Sequence, residues 1–257
     1  MGEQHIFVHL PIQLFGINLS ITNFVVMLFL AAGLTFLFLV GAARAFRPTG
    51  EGRLPNMAES LLEFVKQNVS DPFLGHHGTR WFPFVASVFF FILFCNLIGL
   101  VPIPGYFHAA TGNLNVTATM AVLVFVIVQA VAIKEHGLKF YMGVLFPKSA
   151  PFWLKFIIPL MPVVEFIGII ARPFSLAIRL FANMMAGHQI IIVLLTGELI
   201  GVTYLLHQGA FMKILFPAPL IGAIVMEAFE IFVAFIQAFI FALLTALYLG
   251  EALEESH

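Results

Sequence analysis

Charged residues are scarce in this 257-residue chain, because Asp, Glu, Lys and Arg together make up only 10% of it. A soluble domain carries about 25% charged and about 45–50% apolar residues, whereas 61% of this chain is hydrophobic. The formal net charge of −1 leaves no basic footprint for nucleic acid. These shortages exclude an ordinary soluble domain and indicate an all-α polytopic membrane protein.

Cysteine and catalytic motifs are scarce as well. The single cysteine, Cys95, excludes a disulfide framework or a cysteine metal site, and we expect neither a metal nor a cofactor. No HExxH or GxSxG motif is present to support a membrane enzyme. No Lys or Arg precedes Arg44, so we expect no signal peptide at the N-terminus.

Apolar runs divide the chain into membrane segments. Three runs have the roughly 20 residues that cross a bilayer, and the second of these runs opens at Pro83. Two further runs would be about 75 and 60 Å long as helices, and we predict that they are tilted and antiparallel. One membrane domain, 1–257, then contains an outward segment (1–20), spans at 21–43, 82–101 and 116–133, an interfacial amphipathic helix at 54–73, and long tilted helices at 156–206 and 211–251.

The interfacial helix is predicted from its periodicity. Apolar residues recur at spacings of three and four between Leu54 and Phe73, and charged or polar residues such as Glu63 and Lys66 take the other face. That pattern is typical of a helix lying on the membrane surface. A soluble helix packed on a loop is the alternative.

Basic residues indicate the orientation. Arg44, Arg47 and Arg53 follow the first span and Lys134 follows the third, whereas the 102–113 loop has no Lys or Arg. By the positive-inside rule both spans end in the cytoplasm. We therefore predict an N-terminus outside and a C-terminus in the cytoplasm.

An arginine lies deep inside the first long run. Arg179 keeps its charge wherever the fold places it, at a cost of about 2.5–3.5 kcal/mol or more at mid-bilayer, so we expect the charge to have a function. Residues of similar helical phase form a polar and small stripe on its face. The stripe consists of Glu165, Gly168, Arg172, Ser175, Asn183 and Gly187. A helix-packing seam would explain the small residues, but not Arg179 or Glu165.

The second long run carries complementary polar groups. These are Glu227, Glu230 and Gln237 on one face, with Tyr248 eleven residues further on. If the two long helices are antiparallel about a turn near Gln208, Arg179 lies level with Gln237. By the same register, His188 lies level with Glu230.

The ionisable groups then separate by depth. His188, Glu227 and Glu230 fall in the outer half of the membrane, Arg179 in the middle and Glu165 in the inner half. Carboxylates and a histidine inside a membrane suit proton relay. The sequence predicts two proton-accessible half-paths separated by a fixed positive charge. A hydrogen-bonded packing role would account for His188 alone, but not for the carboxylates at matched depth.

The motifs resemble those of a known family. Residues 173–187 (PFSLAIRLFANMMAG) and 237–249 (QAFIFALLTALYL) resemble subunit a of the F-type ATP synthase membrane sector, as do 96–102 (NLIGLVP) and 115–117 (NVT). The resemblance implies a non-catalytic stator subunit that offers two proton half-channels to a rotating c-ring, while ATP is made on other subunits. It also implies c-ring proteolipids, peripheral-stalk b subunits and the remaining synthase subunits as partners, in the lipid of a bacterial inner membrane rather than a mitochondrial one.

Site residues follow from the same resemblance. Arg179 would face the carboxylate of each ring subunit. Many bacterial relatives have an acid at the position of His188 and a histidine at that of Glu230. The inlet path would use Asn183, His188, Glu227, Glu230 and Gln237, the outlet path Ser175 and Glu165, with Tyr248 and Arg172 nearby.

Two other functional classes stay open on the residues alone. A self-contained ion channel or secondary transporter would need a counter-charge for Arg179 in the same chain, and Glu230 could supply it. The absence of a visible internal repeat counts against inverted-repeat transporters. A polytopic membrane enzyme is the other alternative.

Overall fold

The computed structural model describes residues 13–14, 17–18, 23–45, 53–101, 110–137 and 217–253, together with a set of residues between 167 and 193. The described residues of this last set are helical, and we call them the Arg179 segment. They include residues 177–182 and 184–187. All other residues of the predicted helix at 156–206 lie outside the described residues.

Helices make up nearly all of the described chain, which confirms the prediction of an all-α polytopic membrane protein. Two-residue strands, β1 (Gln13–Leu14) and β2 (Ile17–Asn18), pair antiparallel near the N-terminus. The helices are α1 (Asn23–Ala45), α2 (Arg53–Val65), α3 (Asp71–Leu74), α4 (Gly78–Gly99), α5 (Leu114–His136) and α6 (Pro217–Leu253). Shorter turns are the π-helical Lys66–Ser70 and the 3₁₀ turns Gly75–His77 and Ala110–Gly112.

Four stretches of the described chain are long and apolar enough to cross a membrane. They are Val25–Ala43, Asn56–Gly99, Leu114–His136 and Ile221–Leu253. The helices α1, α4 and α5 lie where we predicted spans at 21–43, 82–101 and 116–133, and α6 covers most of the predicted 211–251 helix. The assignment of residues 1–257 to one membrane domain stays a prediction.

The amphipathic pattern predicted for 54–73 is present in α2 and the turns after it. Leu62, Val65 and Val69 are buried, whereas Glu63 and Gln67 are exposed and joined by a hydrogen bond from Gln67 Nε2 to Glu63 Oε1 of 2.9 Å. The helical backbone then breaks at Gly75, which has φ 46° and ψ −120°. Glycine adopts such angles without the steric cost of a β-carbon.

The second span begins earlier than Pro83, because α4 starts at Gly78 and contains this proline. Pro83 is the sixth residue of α4, so its missing N–H removes one hydrogen bond of the helix, the one that would go to the carbonyl of Thr79. The Pro83 carbonyl accepts a hydrogen bond from Ser87 Oγ at 2.6 Å. Pro83 therefore lies inside the helix and does not open it.

The chain divides into two compact units, each with its own packing. The first contains the described residues of 1–36, 91–113 and 180–238, and the second those of 37–90, 114–179 and 239–257. In the second unit, the rings of Phe38 and Phe90 lie 4.4 Å apart and those of Phe64 and Phe239 lie 5.7 Å apart. These ring contacts join α1 to α4 and α2 to α6.

A stripe of small residues runs along the buried face of α6. Ala234, Ala238, Ala242, Ala246 and Gly250 follow one another at intervals of four and are all buried. Small side chains at this spacing let neighbouring helices approach closely inside a membrane. Glu230 continues this stripe by one interval of four towards the start of α6, and Gln237 lies next to Ala238.

Candidate functional site

Glu230 is a buried carboxylate inside the α6 span, with only 8% of its surface exposed. Its carboxyl group occupies the space where a side chain at position 187 would lie. A β-carbon built on Gly187 would come 2.6 Å from Glu230 Oε1 and 2.7 Å from its Cδ. The missing side chain of Gly187 therefore admits the Glu230 carboxyl group between the Arg179 segment and α6.

A second contact defines how these two helical stretches run. Met184 packs with Ala234, and Leu97 and Leu100 at the end of α4 pack against the pair. A residue earlier in the Arg179 segment therefore meets a residue later in α6, as expected for antiparallel helices. We predicted that His188 lies level with Glu230, and the observed contact is at the preceding residue, Gly187. His188 lies outside the described residues, so its pairing with Glu230 stays a prediction.

Two buried polar atoms on α6 have no hydrogen-bond partner among the described residues. They are Glu230 Oε1 and Gln237 Nε2, and Gln237 is only 4% exposed. The large majority of buried side-chain polar atoms in proteins are hydrogen-bonded. The two residues are seven positions apart, which puts them on one face of the helix about 10 Å apart along its axis. This face of α6 thus carries hydrogen-bonding capacity inside a membrane span.

Two hydrogen bonds form a polar bridge to α6 at Ala234, which lies between Glu230 and Gln237. Asn96 on α4 donates a hydrogen bond from Nδ2 to the carbonyl oxygen of Ala234 at 3.3 Å. Its Oδ1 accepts a hydrogen bond from Thr111 Oγ1 at 2.8 Å. Both Asn96 and Thr111 are fully buried. Buried side-chain hydrogen bonds of this kind keep the elements that they join in one arrangement.

Sequence reasoning missed the role of this bridge. We noted Asn96 only as part of a span-boundary motif, and Thr111 not at all. One signal was available, since an asparagine within an otherwise apolar span marks a position where the fold must supply a partner. No sequence feature identifies Thr111 as that partner, because it lies in a separate turn fifteen residues later.

Arg179 lies on the exposed surface of its segment. Phe174 and Ile178 beside it are 66% and 41% exposed, and Ser175, one turn earlier on the same face, is also exposed. Within the part of the chain that the structure describes, no ion pair or hydrogen bond joins Arg179 to another residue. A fixed positive charge therefore stands on an apolar surface of this chain.

The other predicted site residues divide into two groups. Glu227 and Tyr248 are half-buried on α6, and Glu227 lies one turn before Glu230. Asn183, Glu165 and Arg172, like His188, lie outside the described residues.

No group of three or more His, Cys, Asp or Glu residues that could hold a metal ion occurs among the described residues.

The long apolar helices define a membrane protein, and α6 carries an acid and an amide buried inside its span. In membrane proteins, polar groups at such positions mark substrate and ion pathways. The family model described as ATP synthase A chain matches residues 24–250. The chain belongs to this family, subunit a of the F-type ATP synthases. It is thus a membrane component of a multi-subunit complex whose work includes proton transport.

Individual relatives agree with the family match. The chain is 40% identical to ATP synthase subunit a of Chloroherpeton thalassium over 256 residues, which cover 97% of this chain and 72% of that protein. It is 41% identical to ATP synthase subunit a 2 of Chlorobium luteolum over 251 residues, covering 95% and 69%. It is 39% identical to ATP synthase subunit a of Mesorhizobium japonicum over 256 residues, covering 98% and 95%. These bacterial relatives and the membrane-spanning helices identify an inner-membrane protein.

Proposed function

We propose that this chain is the stator subunit that offers two proton half-channels to a rotating c-ring and so couples transmembrane proton flow to ATP synthesis on other subunits. The observation that carries the proposal is the Glu230 carboxyl group, buried against Gly187 inside a membrane span and with an oxygen that lacks a hydrogen-bond partner among the described residues. An ionisable group at such a depth is costly, which is why it usually serves a transport path.

The inlet half-channel follows the polar face of α6. Glu227, Glu230 and Gln237 lie along it, and we assign His188 and Asn183 to the facing helix. Carboxylate and imidazole groups exchange protons at physiological pH, and an amide can hold water between them by donating and accepting hydrogen bonds. Protons would enter from the outer aqueous side, pass Glu230 and leave the path near Gln237.

Arg179 would separate this inlet from the outlet. The exposed apolar surroundings of Arg179 support a counter-charge on another chain, and a carboxylate on each c subunit is the group that would meet it. A guanidinium stays protonated, so it can repel a proton but never carry one across. We assign the outlet to Ser175 and Glu165, with Arg172 and Tyr248 in supporting positions.

Two offset half-channels convert the membrane potential into rotation. Each proton gains about 2.3 kcal/mol per 100 mV in crossing the membrane. Because Arg179 blocks direct passage, a proton that enters by the inlet must bind a ring carboxylate and travel with the ring before it reaches the outlet. Repeated binding and release would turn the ring in one direction, and the turning would drive ATP synthesis on the catalytic subunits.

This function implies an orientation and a set of partners. The basic residues after the first and third spans favour an N-terminus outside and a C-terminus in the cytoplasm. The chain would contact the c-ring, the peripheral-stalk b subunits and the remaining subunits of the synthase. A self-contained channel would need a counter-charge for Arg179 in the same chain, so copurification with a ring of small hairpin proteins separates the two functions.

The proposed inlet is tested by exchanging its two ionisable residues. His188→Ala and Glu230→Ala should each slow ATP-driven proton pumping while the complex still assembles. His188→Glu combined with Glu230→His should pump faster than either exchange made alone, because the pair regains one acid and one imidazole. Pumping rates for the wild type, the two single exchanges and the double exchange form a double-mutant cycle. A double exchange no better than the worse single exchange would show that the two residues do not act as a unit.

A further inference from the structure

A cavity of about 500 Å³ lies at the point where several membrane elements of the second unit end. The turn Gly75–His77 that precedes α4 lines it, as do the last residue of α5, His136, and the last residue of α6, Leu253. Because the starts and ends of membrane-spanning helices meet here, the cavity opens at the level of one membrane surface. At the start of α4, Arg80 Cζ lies 5.9 Å from the centroid of the Trp81 ring. Tryptophan is typical of the interface between membrane and water.

The polar lining combines three imidazoles with one carboxylate. His76, His77 and His136 line the cavity together with Glu135. His136 Nε2 lies 3.1 Å from the carbonyl oxygen of Ala252. Since a carbonyl only accepts hydrogen bonds, Nε2 carries the proton, and the contact orients the ring.

The remaining lining is apolar and closely packed. Phe73 and Leu253 form part of it. A β-carbon on Gly250 would overlap the backbone carbonyl oxygen of Phe73, so the end of α6 and the end of α3 are in direct contact. Packing against a backbone cannot relax by a side-chain rotation, and this wall of the cavity is therefore preformed.

We propose that this cavity binds the headgroup of a membrane phospholipid that carries both a phosphate and a primary amine, as phosphatidylethanolamine does. Imidazole N–H groups of His76 and His77 would donate hydrogen bonds to the phosphate oxygens, and the Glu135 carboxylate would accept them from the ammonium group. The apolar wall at Phe73 and Leu253 would contact the glycerol and the first methylene groups.

Size and composition favour this ligand over others. Small-molecule sites commonly have volumes of about 300–1,000 Å³, and the cavity falls within that range. A metal ion is a poorer match, since the described histidine, cysteine and acidic side chains form no group that could hold one. A purely anionic headgroup would leave Glu135 without a cationic partner and facing a second negative charge.

The test uses the complete membrane-sector complex in lipid nanodiscs with a photoreactive phosphatidylethanolamine, followed by digestion and mapping of the labelled peptide. In the wild type, label should fall on the peptide containing His76 and His77, and unlabelled phosphatidylethanolamine should compete for it better than unlabelled phosphatidylglycerol does. This comparison requires no substitution. Equal competition by the two lipids would overturn the proposal, and so would label found mainly on another protein subunit.

Variants locate the two halves of the headgroup. His76→Ala with His77→Ala should reduce labelling by more than tenfold, because two hydrogen bonds to a charged group are lost and each one alone is worth about a factor of ten. Glu135→Gln should remove the preference for phosphatidylethanolamine over phosphatidylglycerol. Glu59→Gln is the matched control, because Glu59 is exposed on α2 and does not line the cavity.

Unchanged labelling in the histidine variant would contradict the proposal, as would loss of label in the control. Displacement of the lipid by millimolar inorganic phosphate would indicate a phosphate site and not a lipid site.

Discussion

Replacing Gly187 with alanine tests whether the position of the Glu230 carboxyl group matters for proton transport. The added methyl carbon would lie 2.6 Å from Glu230 Oε1, whereas ordinary contact begins near 3.4 Å. The carboxyl group must therefore move by about 0.8 Å or more. Because it is the far end of a flexible side chain, it can move without displacing the backbone of α6.

The expected effect on folding is small compared with the effect on function. Alanine favours a helix interior over glycine by about 0.5–1 kcal/mol, and overpacking costs about 1–3 kcal/mol. The two partly cancel, so the Gly187→Ala complex should assemble. A misplacement of about 1 Å in a reacting group can slow a reaction about 100-fold, and we expect proton pumping to fall about tenfold to 100-fold.

The assay is ATP-driven proton pumping in inverted membrane vesicles, normalised to the amount of assembled complex. Gly33→Ala is the control, since a β-carbon there has nothing within 4 Å, and it should pump normally. Glu230→Asp shortens the acid by one methylene, so adding it to Gly187→Ala should recover part of the lost rate. Normal pumping by Gly187→Ala, with the Glu230 carboxyl group displaced, would refute the argument that this position is used.

Three further predictions follow from the packing and the proposed topology. Thr111→Val should lower the stability of the purified complex by about 1–3 kcal/mol in thermal denaturation, because Asn96 Oδ1 is left buried without its donor. Thr111→Ser keeps a hydroxyl group at this position and should restore most of that loss. Gly250→Ala should reduce the amount of assembled complex measured by native gel electrophoresis, because the new methyl group meets a backbone carbonyl that cannot move aside. Cysteines placed at Glu165 and at Glu230 in a cysteine-free chain should be labelled from opposite aqueous sides by a membrane-impermeant maleimide, and equal access from one side would contradict two half-channels.

Hydrophobic length and periodicity were sufficient to predict most of the described helices. A membrane span needs a fixed length of apolar residues, and an amphipathic helix shows its buried face directly in its sequence. The antiparallel register could also be derived from a turn assumed near Gln208, because both long helices rise by the same distance per residue. That derivation placed Glu230 within one residue of its observed neighbour, Gly187.

Features that depend on tertiary packing could not be derived in the same way. A proline in an apolar run predicts the start of a span at Pro83, but α4 begins five residues earlier, at Gly78, and continues through the proline although one hydrogen bond of the helix is lost there. No local sequence pattern relates Thr111 to Asn96, to which it donates a hydrogen bond. The same holds for the cavity beside His76, which is lined by residues from distant parts of the chain. A single sequence records what each residue prefers locally, but not which distant residue satisfies it.

The central claim is that Arg179 forces each proton onto the rotating ring, and ATP synthesis by an Arg179→Ala complex tests it most directly. Complexes assembled to the wild-type level would be placed in vesicles with an imposed proton gradient and given ADP and phosphate. Arg80→Ala is the control, because Arg80 is an exposed arginine at the start of α4. We predict no synthesis above background for Arg179→Ala and near-normal synthesis for Arg80→Ala. Substantial synthesis by the Arg179→Ala complex would contradict the proposed function.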